Sequence, residues 1–227
     1  MQITPCSMAR FLNFLERIAT ETYPEVPTEG HTEITLKAQN YLFNNFELPP
    51  SARILDVGCG QGVALLPFQK RGYSPTGITL NATDAAVCQD LGFDVRVMDQ
   101  SFLDFEDNSF DLVWARHVIE HSFMPLYTLT EFRRVLRSGG ILYMEVPAPD
   151  TLLHEQNPNH YSVLGKEMWC SLLERTGFAI AGTVDFFLDT LSGRTDSYWG
   201  YFAVANKTAV SRADSRLIKL AGNHESS

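Results

Sequence analysis

The strongest structural signal in the chain is Ala-Arg-Ile-Leu-Asp-Val-Gly-Cys-Gly-Gln-Gly at residues 52–62. Its first six residues are mostly apolar, which is typical of a short buried strand. Three glycines then follow at alternate positions, Gly58, Gly60 and Gly62, ahead of a helix-like segment. Glycine lets the backbone turn sharply close to a ligand, and a helix N-terminus presents unpaired N–H groups. The stretch predicts a strand, a tight turn and a helix, with a ligand against the turn.

Apolar runs and helix-like segments alternate on the C-terminal side of this turn. Such alternation predicts an α/β fold with a doubly wound, mostly parallel sheet and helices on both of its faces. The last two predicted strands have no helix between them, which indicates an antiparallel edge strand in a sheet of seven. We predict further strands over 73–79, 93–98, 110–115, 141–146, 178–187 and 198–205, and helices over 61–71, 82–91, 126–136 and 166–175.

The two ends of the chain differ from this central part. Residues 1–46 are amphipathic and helix-prone, at 8–19 and 33–46, and are predicted to form an N-terminal helical cap or lid. The apolar residues at helical spacing within 8–15 are expected to pack on the sheet and to line the substrate entrance. Residues 47–206 are predicted to form the sheet domain, and 207–227 a polar tail.

Composition excludes several classes of protein. The net charge is −9 with no basic run, so no general nucleic-acid binding is expected. Four cysteines without a C-x-x-C pair indicate reduced thiols rather than disulfides or structural zinc. No apolar stretch reaches ~18 residues and no signal peptide is evident, so we expect a cytoplasmic protein without a membrane partner. The oligomeric state stays open.

The glycine turn and four later segments together resemble a known family. Asp-Val-Gly-Cys-Gly-Gln-Gly (56–62) is similar to the first motif of class I S-adenosylmethionine-dependent methyltransferases of small-molecule type. The later segments fall in the order that this family requires; they are GITLN (77–81), VMDQSF (97–102), NSFDLV (108–113) and LRSGG (136–140). The resemblance implies a Rossmann-like fold, S-adenosylmethionine as cofactor with S-adenosylhomocysteine as product, and O-, N- or C-methylation of a small-molecule acceptor.

The resemblance also implies roles for individual residues. Gly58 and Gly60 would lie against the methionine portion and ribose of the cofactor, and Asp56 near its ammonium group. Asp99 would accept a hydrogen bond from the adenine amino group, with Phe102 as apolar cover. The implied cofactor-binding set is Asp56, Gly58, Cys59, Gly60, Gly62, Thr79, Leu80, Asp99, Gln100, Ser101, Phe102, Ala115 and Arg116.

One position departs from the family pattern. An acidic residue that binds both ribose hydroxyls usually ends the second strand, and here Thr79 stands in its place. The Thr-Leu-Asn ending is similar to the Thr-Leu-Ser of cyclopropane-fatty-acid synthases, so we expect weaker ribose recognition. The missing acid and Val63, which breaks the G-x-G-x-x-G pattern, disfavour a dinucleotide-dependent oxidoreductase. A non-catalytic cofactor-binding accessory protein remains an alternative.

Residues 116–121, Arg-His-Val-Ile-Glu-His, contain the H-x-x-E-H pattern of inverted zinc proteases. A zinc protease needs this pattern inside a long helix, together with a distant third ligand. Pro125 breaks any helix here after about two turns, so a protease is excluded. The segment follows the fourth predicted strand and should lie near the transferred methyl group.

Histidines are therefore the candidates for acid–base chemistry. An imidazole with a pKa near ~6.5 accepts a proton at neutral pH; His117 is the first candidate for a general base and His160 the second. Glu120 and His121 are expected to fix the loop, without a metal. A metal-assisted O-methyltransferase is the alternative, because some relatives hold a divalent ion with Glu-x-x-Glu-His at this place. Its ligands would be His117, Glu120 and His121, with His154 or His160.

Candidate substrate contacts follow the fifth predicted strand. His154 and Tyr161 lie where the family often places substrate-binding loops, and Arg194 or Arg116 could hold an anionic group. Trp114 lies in a strand-like run and is predicted to belong to the core.

Overall fold

A computed structural model describes residues 4–21, 24, 26–151, 154, 156–189, 193 and 195–206. The predicted substrate contact Arg194 and the predicted polar tail, 207–227, lie outside the described residues. None of the described helices is both long and apolar enough to cross a membrane.

The described strands form one sheet in the order β3-β2-β1-β4-β5-β7-β6. The strands from β3 to β5 pair in parallel, and β7 runs antiparallel to both of its neighbours. The mostly parallel sheet with an antiparallel edge is therefore confirmed. The strands are β1 (Arg53–Val57), β2 (Ser74–Thr79), β3 (Asp94–Val97), β4 (Phe110–Arg116), β5 (Leu136–Pro147), β6 (Phe178–Asp189) and β7 (Thr195–Ala205).

Helices cover both faces of this sheet. The helices are α1 (Pro5–Thr20), α2 (Glu29–Asn45), α3 (Leu65–Lys70), α4 (Ala82–Asp90), α5 (Pro125–Val135) and α6 (Lys166–Arg175). Alternate strand residues point to opposite faces. Leu55 and Val113 pack with α5 and α6, whereas Ile54 and Trp114 pack with α2 and α3. Trp114 is 1% exposed, which confirms it as a core residue.

Several predicted bounds differ from those observed by a few residues, and two of these differences have a clear structural reason. The helix after the glycine turn begins at Leu65 rather than Gln61, because residues 61–64 are used in the turn. Pro67 lies in its first turn, where a missing N–H breaks no helical hydrogen bond. β5 begins at Leu136, five residues early, because Leu136 already pairs with Phe110 before a register shift.

The predicted cap consists of two unlike helices. No residue of α1 is buried. In α2, Ala38 and Leu42 belong to the core, and Gln39 Nε2 donates a hydrogen bond to Ala64 O at 3.1 Å. α2 is therefore an integral layer over the sheet, whereas α1 packs on the protein without a buried residue of its own.

Candidate active site

A cavity opens at the carboxyl ends of β1, β2 and β4, where the strand order reverses. This switch point is the usual ligand site of a doubly wound sheet. The wall consists of the glycine turn, the ends of β2 and β3, the segment after β4, the end of α1 and the loop before α6. The residues of the wall are Ile18, Glu21, Val57, Gly58, Gly60, Ile78, Thr79, Leu80, Asn81, Asp84, Met98, Asp99, Gln100, Ser101, His117, Val118, His121, Ser122, Phe123, Asn159 and Tyr161.

The glycine turn forms the floor of this cavity. Gly58 has a φ of 67°, and a Cβ at this position would lie 2.7 Å from Cγ2 of Val118. The turn is tied to the next strand by the hydrogen bond from Cys59 N to Ile78 O, 2.9 Å. Left-handed backbone and close packing both require glycine here. The turn therefore presents bare backbone to the cavity.

The ends of β2 and β3 supply polar groups on one side. Thr79 Oγ1 accepts a hydrogen bond from Asn81 N at 3.2 Å, and Asn81 Oδ1 caps α4 by accepting from Asp84 N at 3.2 Å. Asp99 Oδ1 accepts from Ser101 N at 2.7 Å. Thr79 and Asp99 thus stabilise their own turns and also line the cavity.

A buried ion network lies beneath the opposite side, under α2. Arg116 donates to Glu145 through Nε at 3.0 Å and Nη2 at 2.8 Å, and to Thr35 Oγ1 at 2.6 Å. Tyr143 donates its hydroxyl to Glu145 Oε2 at 2.6 Å. Burial opposes the charge of Glu145, but the ion pair with Arg116 and the contact with His117 keep the pKa of Glu145 well below its ordinary value. Arg116 is therefore committed to Glu145 and not to an anionic substrate.

His117 stands at the boundary between this network and the cavity. Its Nε2 lies 2.8 Å from Glu145 Oε1 and its Nδ1 lies 3.7 Å from Glu120 Oε1. Burial lowers its pKa, but the interactions with Glu120 and Glu145 outweigh burial and raise the pKa to about 9. His117 is protonated at neutral pH. The predicted pKa near ~6.5 is therefore wrong, and the resting imidazolium has no lone pair with which to act as a base.

The backbone at His117 is also unusual. It has a φ of 51°, in the left-handed region that a residue with a Cβ rarely adopts. The hydrogen bond from His117 N to Glu145 O, 2.9 Å, holds this conformation. Such local strain is concentrated at functional sites, because the surrounding structure must maintain it.

A histidine cluster borders the cavity beyond His117. His121 Nδ1 bonds Asn159 O at 3.1 Å, and the ring of His121 meets that of His160 edge-on at 4.6 Å. His160 contacts His154 through Nδ1 and Asn157 Nδ2 through Nε2. Burial, with the neighbouring His121, lowers the pKa of His160 to about 4, so this ring is neutral at pH 7.

The residues predicted from sequence separate into two sets. Those on the cavity wall are Gly58, Gly60, Thr79, Leu80, Asp99, Gln100, Ser101, His117 and Tyr161. Those that the structure places off the wall are Asp56, Cys59, Gly62, Phe102, Ala115, Arg116, His154 and His160. Gly62 has a packing reason instead, since a Cβ there would lie 3.0 Å from Cys88 Sγ. His154 is 2% exposed, and this burial separates it from a substrate.

Several wall residues were missed from the sequence. Ile18 and Glu21 come from the end of α1, and Asn159 from the loop before α6. Phe123 lies just before α5. Only long-range folding brings these segments to the sheet end, and no local pattern marks them. Asn81 had a local signal, as the residue before a helix that favours an asparagine cap.

The comparisons with known proteins agree with this geometry. The methyltransferase domain family matches residues 55–144. The 2-methyl-6-phytyl-1,4-hydroquinone methyltransferase of Synechocystis sp. is 30% identical over 177 residues, 67% of this chain and 55% of that protein. Residues 55–144 form a methyltransferase domain.

One further relative and one solved structure are also similar to this methyltransferase domain. A sterol 24-C-methyltransferase of Yarrowia lipolytica is 26% identical over 183 residues, 71% of this chain and 48% of that protein. The chain thus spans about half the length of these two curated relatives. The crystal structure of an S-adenosylmethionine-dependent methyltransferase from Methanosarcina mazei has a TM-score of 0.62 at 20% identity, covering 74% of this chain and 98% of that one. This last likeness shows the same fold.

S-adenosylmethionine is the cofactor that the resemblance of the glycine turn implies, and the residues present fit it. Asp56 Oδ2 is buried at the end of β1 and has no hydrogen-bond partner among the described residues. Burial, followed by the nearby Cys88, raises the pKa of Asp56 well above its usual value, against the opposing charge of Arg116. An ammonium group or a bridging water would satisfy that oxygen and restore the carboxylate.

Gln100, which the resemblance places near the adenine of the cofactor, has a second acceptor without a partner among the described residues. Gln100 Nε2 donates to Val118 O at 2.8 Å, while its buried Oε1 has no partner within the described chain. Asp99 reaches the cavity wall with one carboxylate oxygen used in its turn. An exocyclic amine is a donor that such acceptors can bind.

Proposed function

We propose that the protein transfers a methyl group from S-adenosylmethionine to a small-molecule acceptor. The observation that carries this proposal is one continuous cavity, which runs from the glycine turn to the side chains of His117, His121 and Tyr161. The cofactor supplies a reactive methyl group on a sulfonium. The chain must then hold the acceptor in line with it and exclude water, and positioning of this kind supplies much of the acceleration.

His117 is proposed to orient the acceptor rather than to deprotonate it. Its charge is held by Glu145 and Glu120, and 29% of its side chain is exposed. Its Nδ1 lies 3.7 Å from Glu120 Oε1, too far for a hydrogen bond, so the Nδ1–H can instead donate to a hydroxyl or oxyanion beside the reacting methyl group. An acceptor that must lose a proton would need a base other than His117. His121, the other histidine on the cavity wall, is the candidate for that base.

We further propose that α1 acts as a lid. Its C-terminal end contributes Ile18 to the cavity wall, and it has no buried residue of its own. A cover that is held weakly can open for entry and close for the reaction.

The proposal is tested by measuring S-adenosylhomocysteine formation by mass spectrometry. The acceptor panel includes 2-methyl-6-phytyl-1,4-hydroquinone, named in the relative from Synechocystis, and a sterol, the class named in the Yarrowia protein. Acceptor-dependent product above the rate of a Gly58→Arg variant supports transfer. Cofactor binding without turnover on any acceptor would favour the non-catalytic accessory alternative.

A metal-assisted reaction is the second candidate, favoured by one cluster. The ligand atoms of Glu120, His121 and His160 lie within 4.8 Å of one another, and Glu120 Oε2 is buried without a partner among the described residues. The ligands proposed from this cluster differ from those considered from the sequence, because His117 is paired with Glu145 and does not belong to the cluster. Carboxylate and imidazole ligands suit divalent transition metals.

Elemental analysis and chelation separate the two candidates. If metal assistance is correct, the purified protein contains about one divalent ion, EDTA removes activity, and His160→Ala loses both. If activity persists in EDTA and His160→Ala retains it, the cluster only shapes the loop.

A further inference from the structure

The middle of α1 rests on the body of the protein through aromatic rings. Phe14 meets Phe123 edge-on at 5.1 Å, and Phe11 meets Phe123 at 6.1 Å and Phe102 at 6.5 Å. The hydrogen bond that joins the end of this helix to the body, from Asn159 Nδ2 to Glu21 O, is long at 3.5 Å. Ring contacts, rather than a set of buried residues, therefore hold α1 on the protein.

These rings form a continuous path from the cavity to the surface. Phe123 lines the cavity, and Phe102 at the other end contacts Tyr127 at 5.7 Å. We name the path the aromatic track; its members are Phe11, Phe14, Phe102, Phe123 and Tyr127.

The aromatic track is open to solvent along its length. None of its five rings is buried, and Tyr127 is 44% exposed. On the adjoining face of α1, Met8 and Leu12 are 42% and 51% exposed. Scattered apolar residues on a surface need no explanation, but a connected group that leads into a cavity is typical of a ligand groove.

The chemistry changes from one end of this path to the other. Near the glycine turn the wall carries donors and acceptors, including His117, His121 and Asn159. The rings of the aromatic track are hydrocarbon apart from the Tyr127 hydroxyl, and the Arg17 guanidinium lies 5.4 Å from the centre of the Phe14 ring. A ligand that matches both parts has a polar head in the cavity and an apolar chain that leaves beneath α1.

We propose that the aromatic track binds the apolar chain, of hydrocarbon or isoprenoid type, of an acceptor whose polar head lies beside His117. The inference rests on the proposed function, because the head must lie next to the transferred methyl group. It adds the substrate class, an amphiphilic acceptor with a chain, and the surface that selects it.

The test uses 4-alkylphenols with chains from methyl to octyl, titrated by calorimetry into protein saturated with S-adenosylhomocysteine. If the chain enters the aromatic track, affinity rises by up to about fourfold for each methylene that is buried. Phe11→Ala and Phe14→Ala should reduce this gain per methylene. The matched control is Leu91→Ala, which truncates a side chain that is 66% exposed beyond α4.

A gain with chain length that falls in both track variants and is kept in Leu91→Ala supports the proposal. No gain, or an equal gain in all variants, overturns it. If instead the variants lose only co-sedimentation with phosphatidylcholine vesicles, the surface contacts a membrane and the proposal is also overturned. Absence of S-adenosylhomocysteine binding in the unaltered protein would be a failure of the proposed function itself, and that titration is made first.

Discussion

The charge of His117 should make the stability of the protein depend on pH in the alkaline range. The pKa of this histidine is raised from 6.5 to about 9 by carboxylates that outweigh its burial. A group whose pKa is raised on folding stabilises the folded state fully below its unfolded pKa, here ~6.5. That contribution is lost as the pH rises towards the folded value of about 9.

The size of the effect follows from the difference between the two pKa values. Each unit corresponds to about 1.4 kcal/mol, so the full difference is on the order of 3 kcal/mol. The side chain is 29% exposed, and solvent screening reduces the contribution to about 2–3 kcal/mol. His117→Gln retains a donor for Glu145 but carries no charge at any pH. The variant should therefore be less stable than the unaltered protein by this amount at pH 6, and the gap should close by about pH 10.

Urea unfolding at pH 6, 7, 8, 9 and 10 measures this gap, with both proteins compared at each pH so that other titrating groups cancel. An NMR titration of the His117 ring carbons gives its pKa directly. If the two stability profiles run parallel, or if the ring titrates at or below 6.5, the ion-pair assignment is refuted and His117 becomes available as a base.

Three further changes test other parts of the structure. Arg116→Met should destabilise the protein by about 3–5 kcal/mol in urea unfolding, because it leaves Glu145 buried without its main partner; a loss under 1 kcal/mol would contradict the buried network. Gly58→Ala should abolish cofactor binding while the far-UV spectrum is kept, since its Cβ meets Val118 at a φ of 67°; unchanged binding would show that the turn does not form the floor. Deleting residues 1–30 should leave a folded sheet that releases cofactor faster in stopped-flow measurements, and normal retention and turnover would refute the lid.

The fold was predictable because its signals are local. The run before Gly58, the glycine turn and the helix–strand alternation each depend on neighbouring residues, and their order fixes the sheet. The early start of β5 was not predictable, because Leu136 joins the strand through pairing with Phe110 across a register shift. Local patterns do not contain such pairings.

The candidate site was predictable only where a local motif marks it. Gly58, Gly60 and Asp99 could be placed from their motifs, and they line the cavity. The protonation state of His117 could not be predicted from the sequence. The carboxylate that holds its proton belongs to Glu145, which is 28 residues away on the next strand. A pKa depends on the distances between charges in the folded chain, and spacing along the sequence does not give them.

Calorimetric titration with S-adenosylhomocysteine shows directly whether the cavity is the cofactor site. If it is, the titration gives about one site per chain with micromolar-range affinity, on the order of −8 kcal/mol. Asp99→Ala should weaken it by about 1–3 kcal/mol through loss of a charged hydrogen bond. No heat and no thermal shift with either S-adenosylhomocysteine or S-adenosylmethionine would contradict the assignment of the cavity as the cofactor site.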